Sequence, residues 1–178
     1  MEQGKSNSNQ RSRLGIWGIA VAAGMYVSSM FMPAVDGMYS EPYISGYEAA
    51  WISFMLPFQA FTEDPIGFLS ADFGAGEYAM LFGTAANLSM IVGMAVVWSK
   101  RWSLRWFAAG ILGLGLLFTS VVPWFSDDGL YIGDGPGPYD GFHFGYFFWM
   151  ASFAVGVAGA ALRSWQGQKQ TDQALSFN

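Results

Sequence analysis

The sequence predicts an all-α integral membrane protein: four transmembrane helices, with a short interfacial helix in the first outer loop. Three observations carry that prediction. Four long runs contain no Asp, Glu, Lys or Arg. Every basic residue falls on one of three short segments outside those runs. The composition is 53% hydrophobic and only 12% charged, whereas a water-soluble domain carries roughly 25% charged residues.

The runs are Leu14 to Met32, Tyr78 to Trp98, Trp106 to Phe125 and Phe142 to Leu162. A helix needs about 20 apolar residues to cross a bilayer core, and a spanning segment must satisfy its own backbone polar groups, which makes each run a helix. A membrane domain over 14–162 then lies between polar tails at 1–13 and 163–178, which read as mobile. A cleaved signal peptide is the competing reading of Arg11, Arg13 and the first run. That run of 19 residues exceeds an h-region of about 7–15 residues, and a cut after Ala34 would leave the bulky Met32 at the −3 position. An uncleaved first helix is the better reading.

Charge orients the spans. Lys5, Arg11 and Arg13 precede the first, Lys100, Arg101 and Arg105 separate the second from the third, and Arg163 and Lys169 follow the fourth. The connections 33–77 and 126–141 hold no Lys or Arg. Eleven of the 13 acidic residues sit there. Basic loops stay in the cytoplasm, so both termini are expected inside and both acidic loops outside. The short turn Ser99–Ser103 makes the second and third helices antiparallel neighbours. Trp98, Trp102 and Trp106 form an aromatic belt beside its basic residues.

The first outer loop is too long for a bare connection. Ser45 and Glu48 have capping-box spacing, and Ala50, Trp51, Phe54, Met55 and Phe58 follow a helical period until Pro57 bends or ends the segment. A helix of about a dozen residues is too short to span and is expected to lie at the interface. Glu77 borders the second span, where a negative charge suits the helix dipole. In the second outer loop, Asp127, Asp128, Asp134 and Asp140 offer oxygen ligands for calcium, but their spacing departs from an EF-hand. A solvated acidic loop is the better reading.

Within the spans, small residues recur four apart at Gly18 and Ala22, Ala20 and Gly24, Ala109 and Gly113, and Ser152, Gly156 and Ala160. Such faces permit close helix packing, inside the bundle or against another protein. Asn87 is the one mid-span amide and reads as an interhelical hydrogen-bonding group. No span carries an acid, base or imidazole at mid-membrane depth, which argues against ion-coupled transport. The chain has no Cys and a single His, which removes thiolate chemistry, cysteine metal sites and bis-histidine haem. His143 lies among Phe142, Phe144, Tyr146 and Trp149. It reads as an interfacial histidine in an aromatic girdle, with ligation of a pigment as the alternative. No hydrolase triad, phosphate loop or nucleic-acid patch is present.

Pro33 after the first helix, Gly46-Tyr47-Glu48-Ala49 in the outer loop, Ala86-Asn87, and Gly145-Tyr146-Phe147-Phe148-Trp149-Met150-Ala151-Ser152 give a layout that resembles a loose group of small four-helix bacterial inner-membrane proteins. The resemblance covers most of the chain and implies neither an activity nor catalytic residues. The expected function is non-enzymatic: an accessory, scaffold or interaction subunit that meets membrane lipids and either another membrane protein or a second copy of itself, and needs no cofactor. The alternative is a binder of a small lipophilic ligand, such as a quinone, lipid or pigment. That ligand would lie under the loop helix, near His143, Trp149 and Trp51.

Overall fold

The computed structural model describes residues 2–36, 43–70, 75–125 and 141–175. The chain is mostly helical, in the order α1 (Glu2–Ser29), β1 (Pro33–Asp36), β2 (Tyr43–Ser45), α2 (Gly46–Glu63), α3 (Pro65–Ser70), α4 (Ala75–Val97), α5 (Trp102–Val121), a 3-10 turn (Val122–Phe125) and α6 (Phe144–Leu175). Among the described residues, three stretches are long and apolar enough to cross a membrane: Tyr78–Val97, Trp102–Trp124 and Phe144–Lys169. The candidate calcium ligands Asp127, Asp128, Asp134 and Asp140 lie outside the described residues.

Both terminal helices run beyond their apolar stretches. α1 begins at Glu2 and α6 continues to Leu175, although the polar ends read from sequence as mobile tails. Once a helix is nucleated in its apolar portion, each added residue costs little, and Gln, Lys, Arg and Glu are good helix formers.

α1 pairs with α6, α6 with α5, α5 with α4, and α4 with α2. The α1–α6 pair is antiparallel, with Gly15 beside Arg163 and Gly18 beside Gly159. A Cβ on Gly159 would stand 2.9 Å from the Ile19 nitrogen, so the two backbones touch where any side chain would separate them. Farther along the bundle, the ring of the fully buried Phe153 occupies the space that a Cβ on Gly115 would need. Ile19, Met90 and Leu112 complete this core.

The basic segments meet at one end. Arg105 donates from Nε to the Ser99 carbonyl at 2.8 Å and reaches the Arg163 carbonyl at 3.4 Å. The Arg163 guanidinium lies over the Trp98 ring, and the Lys169 ammonium over Trp165.

At the opposite end, β1 and β2 form an antiparallel hairpin. Residues 141–143 lie on its other edge. Asp36 N–H donates to the Gly141 carbonyl, and His143 N–H donates to the Ala34 carbonyl, each at 2.8 Å. Gly141 enters this edge at φ 82°, a left-handed conformation that glycine adopts without a Cβ clash.

α2 corrects the expectation that Pro57 ends the segment. The helix starts at a complete capping box and passes through Pro57 to Glu63. Proline has no N–H for the carbonyl four residues back, here that of Ser53. Thr84 of α4 supplies the missing donor through its hydroxyl, at 2.5 Å. A hydroxyl from a neighbouring helix thereby keeps the segment helical.

Candidate functional site

The cavity beneath α2 has a volume of about 450 Å³. α2 forms one wall, through Ala49, Ile52, Ser53, Met55 and Leu56. α4 contributes Ala79, Met80, Gly83 and Asn87, and α6 contributes Gly145, Tyr146 and Trp149. The end of α1 and the β1–β2 hairpin close the remaining side with Ser29, Met30, Val35, Asp36 and Ile44. Among the described residues the lining is overwhelmingly apolar and contains no Lys, Arg or His.

Sequence spacing explains how α2 forms its wall. Ala49, Ile52, Ser53 and Leu56 recur three and four apart, the period that lines one helical face. Tyr47, Trp51, Phe54, Phe58 and Phe61 are left more than 40% exposed. The helix therefore presents apolar surface on both sides, with Glu48 at its cap.

Most polar side chains of the lining are already engaged. Ser29 Oγ donates to the Tyr26 carbonyl and Ser53 Oγ to the Ala49 carbonyl. The Tyr146 hydroxyl donates to the Thr119 carbonyl. Asp36 Oδ1 lies 2.7 Å from His143 Nε2, a pair whose side chains are both about 40% exposed. An exposed pair of this kind contributes at most about 1 kcal/mol, so it fixes the hairpin edge on α6 more than it stabilises the fold. Asn87 Oδ1 accepts from the Tyr26 hydroxyl at 2.9 Å, linking α4 to α1.

No family model matches the chain, and neither a curated protein nor a solved structure matches it.

The structure brings Trp51, Trp149 and Asn87, from three different helices, to one cavity. His143 stands apart from the lining. Its Nε2 is taken by Asp36, so only the partner carboxylate reaches the cavity. Among the described residues no cluster of acids or histidines forms a metal site. Sequence reasoning missed Asp36 and Tyr146. Asp36 had a signal, as the acid directly after Val35 in a short extended stretch. Tyr146 gave none that separates it from its aromatic neighbours.

Proposed function

We propose that this chain is a four-span protein of the bacterial inner membrane, with α1 as the first span and both termini cytoplasmic, and that it holds a small lipophilic molecule beneath α2. The cavity of about 450 Å³ carries this reading. Protein interiors are close-packed, with few voids larger than a water molecule, and small-molecule sites occupy roughly 300–1,000 Å³ of mostly apolar space. α2 is the interfacial helix of the proposal. Its exposed aromatic face, including Trp51 and Phe58, meets the outer leaflet while the opposite face roofs the site. Native lipid-nanodisc extraction followed by mass spectrometry tests the reading. A lipophile enriched in stoichiometric amount over bulk membrane supports it, and Ala49→Phe, which fills the void, should deplete that compound with helical content unchanged. Extracts matching bulk lipid in both proteins refute it.

A second reading, an accessory or scaffold subunit, draws support from the Ala20–Gly24 ridge of α1. Both residues are exposed, and a Cβ on Gly24 would meet nothing within 4 Å. Helices dock through small-residue ridges of this kind in lipid. Photo-crosslinking from position 20 tests it: adducts to a membrane protein or a second copy support it, and lipid adducts alone refute it.

A further inference from the structure

Resting on the cavity reading, we infer that the ligand is a neutral lipophile bearing a hydrogen-bond acceptor, a carbonyl or ester oxygen, which Asn87 and Trp149 receive as donors.

Buried polar groups demand partners, so the unpaired groups of a lining state what its occupant must supply. Most polar side chains of the lining already hold a partner. The Asn87 carbonyl holds the Tyr26 hydroxyl and the Asp36 carboxylate holds His143. The hydroxyls of Ser29, Ser53 and Tyr146 donate to backbone carbonyls. The group of the lining left buried without any partner is a donor, the Trp149 indole N–H. With its Oδ1 taken by Tyr26, Asn87 has its amide N–H₂ to offer as well. Trp51 adds a third donor at the rim, where its side chain is more than half exposed.

Charge selects further. Among the described residues the lining carries one carboxylate, Asp36, and no cationic side chain. A fatty-acid carboxylate or a lipid phosphate would enter low-dielectric surroundings without a counter-ion, beside a like charge, and would bear the full cost of desolvation. A ketone, quinone or ester bears no such charge and satisfies the donors. The shared chemistry is thus a neutral acceptor on an apolar body, whether quinone head or acyl ester.

The test uses the purified full chain in lipid nanodiscs and four probes: 2-tridecanone labelled with ¹³C at the carbonyl, tridecane, dodecanoate and decyl-benzoquinone. Saturable rises in unfolding midpoint report binding, and the infrared carbonyl stretch reports hydrogen bonding. The expected result is that the ketone and the quinone bind more tightly than the alkane and the carboxylate, with the bound ketone band shifted to lower frequency. Dioctanoylglycerol in place of decyl-benzoquinone distinguishes an ester source from a quinone source. Asn87→Leu should weaken ketone binding roughly three- to tenfold, the loss of one net hydrogen bond, and leave tridecane binding unchanged. Trp149→Phe serves as the second variant, and the wild-type infrared band decides alone if neither variant folds. Equal binding of ketone and alkane, an unshifted band, or dodecanoate binding as tightly as the ketone overturns the inference while the cavity reading survives. Failure of all probes to bind saturably overturns both.

Discussion

The hydroxyl of Thr84 donates to the carbonyl of Ser53, the acceptor that Pro57 leaves without a helical partner. The same arrangement recurs across the bundle. Pro123 follows Thr119 by four residues, and the Thr119 carbonyl accepts the Tyr146 hydroxyl of α6. Pro57 within α2 and Pro123 in the turn after α5 thus each leave a carbonyl that a hydroxyl from a neighbouring helix takes up. These bonds also hold two walls of the cavity, since Ser53 and Tyr146 both line it.

Removing the Thr84 hydroxyl should therefore loosen α2. Thr84→Val keeps the shape of the side chain and strands the Ser53 carbonyl, at a cost of about 1–3 kcal/mol. Pro57→Ala returns an N–H to that carbonyl and should recover most of the loss when combined with Thr84→Val. A double-mutant cycle on the unfolding midpoint, with proteolysis across residues 46–63, measures this coupling. Additive effects would show that the bond does not stand in for the missing proline donor.

How far the sequence discloses this depends on the element. The runs over 78–98 and 106–125 are legible because each lacks charge across a bilayer's length, and the short Ser99–Ser103 turn leaves their helices no arrangement but antiparallel neighbours. The start of α2 is equally legible, because Ser45 and Glu48 form a local motif that needs no tertiary contact. Its end is not. Proline ordinarily stops a helix, and the donor that rescues Ser53 lies 31 residues away on another helix. The cavity is less legible still. Trp51, Asn87 and Trp149 meet because α2 and α6 both border the N-terminal half of α4, a relationship that local spacing does not encode. That the buried group left without a partner is the Trp149 donor depends on which polar atoms are already paired, and only coordinates show that.

Acidity should fray the start of α2. The Ser45 side-chain hydrogen bond, then the Ser45 backbone N–H, hold the Glu48 carboxyl below the usual glutamate range. A carboxyl lowered on folding contributes stability that is present above its unfolded value and is lost as pH falls through the lowered folded value. Hydrogen exchange at residues 46–50 should accelerate across that acidic window and stay flat above it. Ser45→Ala should shrink the pH step to the part held by the Ser45 backbone N–H and raise exchange at neutral pH, since loss of an N-cap costs about 1 kcal/mol. A pH step of full size in Ser45→Ala, or one that persists in Glu48→Gln, would assign it to another group.

Close approach of α1 and α6 should make Gly159 intolerant of any side chain. Gly159→Val places a branched group against the Ile19 nitrogen and the Gly15 carbonyl; overpacking of this kind costs about 1–3 kcal/mol or more. Gly24→Val is the control, because nothing lies within 4 Å of its Cβ position. Unfolding midpoints in detergent should fall for the first and hold for the second. Equal tolerance at both positions would remove the backbone contact between the terminal helices.

The antiparallel α1–α6 pair places Gly15 beside Arg163, and the Arg105 bond to the Arg163 carbonyl brings the α4–α5 turn to the same end. Arg13, Lys100, Arg101, Arg105, Arg163 and Lys169 are thereby carried at one end of the bundle, while Asp36 and Glu48 sit at the other. Positive charge is retained in the cytoplasm during insertion, so a reporter that is active only in the cytoplasm should work when fused after Lys169 or within Lys100–Ser103. A reporter that needs the outer compartment should work within 70–76 and 134–139. Because α1 and α6 pack antiparallel, moving one tail outside requires the other to follow. A single inverted tail would break the pair as well as the topology. Replacing Lys100, Arg101 and Arg105 by Gln should weaken the bias and produce mixed reporter signals at both loops. An outer-compartment signal from the wild-type 100–103 turn would overturn the four-span arrangement, and with it the placement of α2 on the outer leaflet.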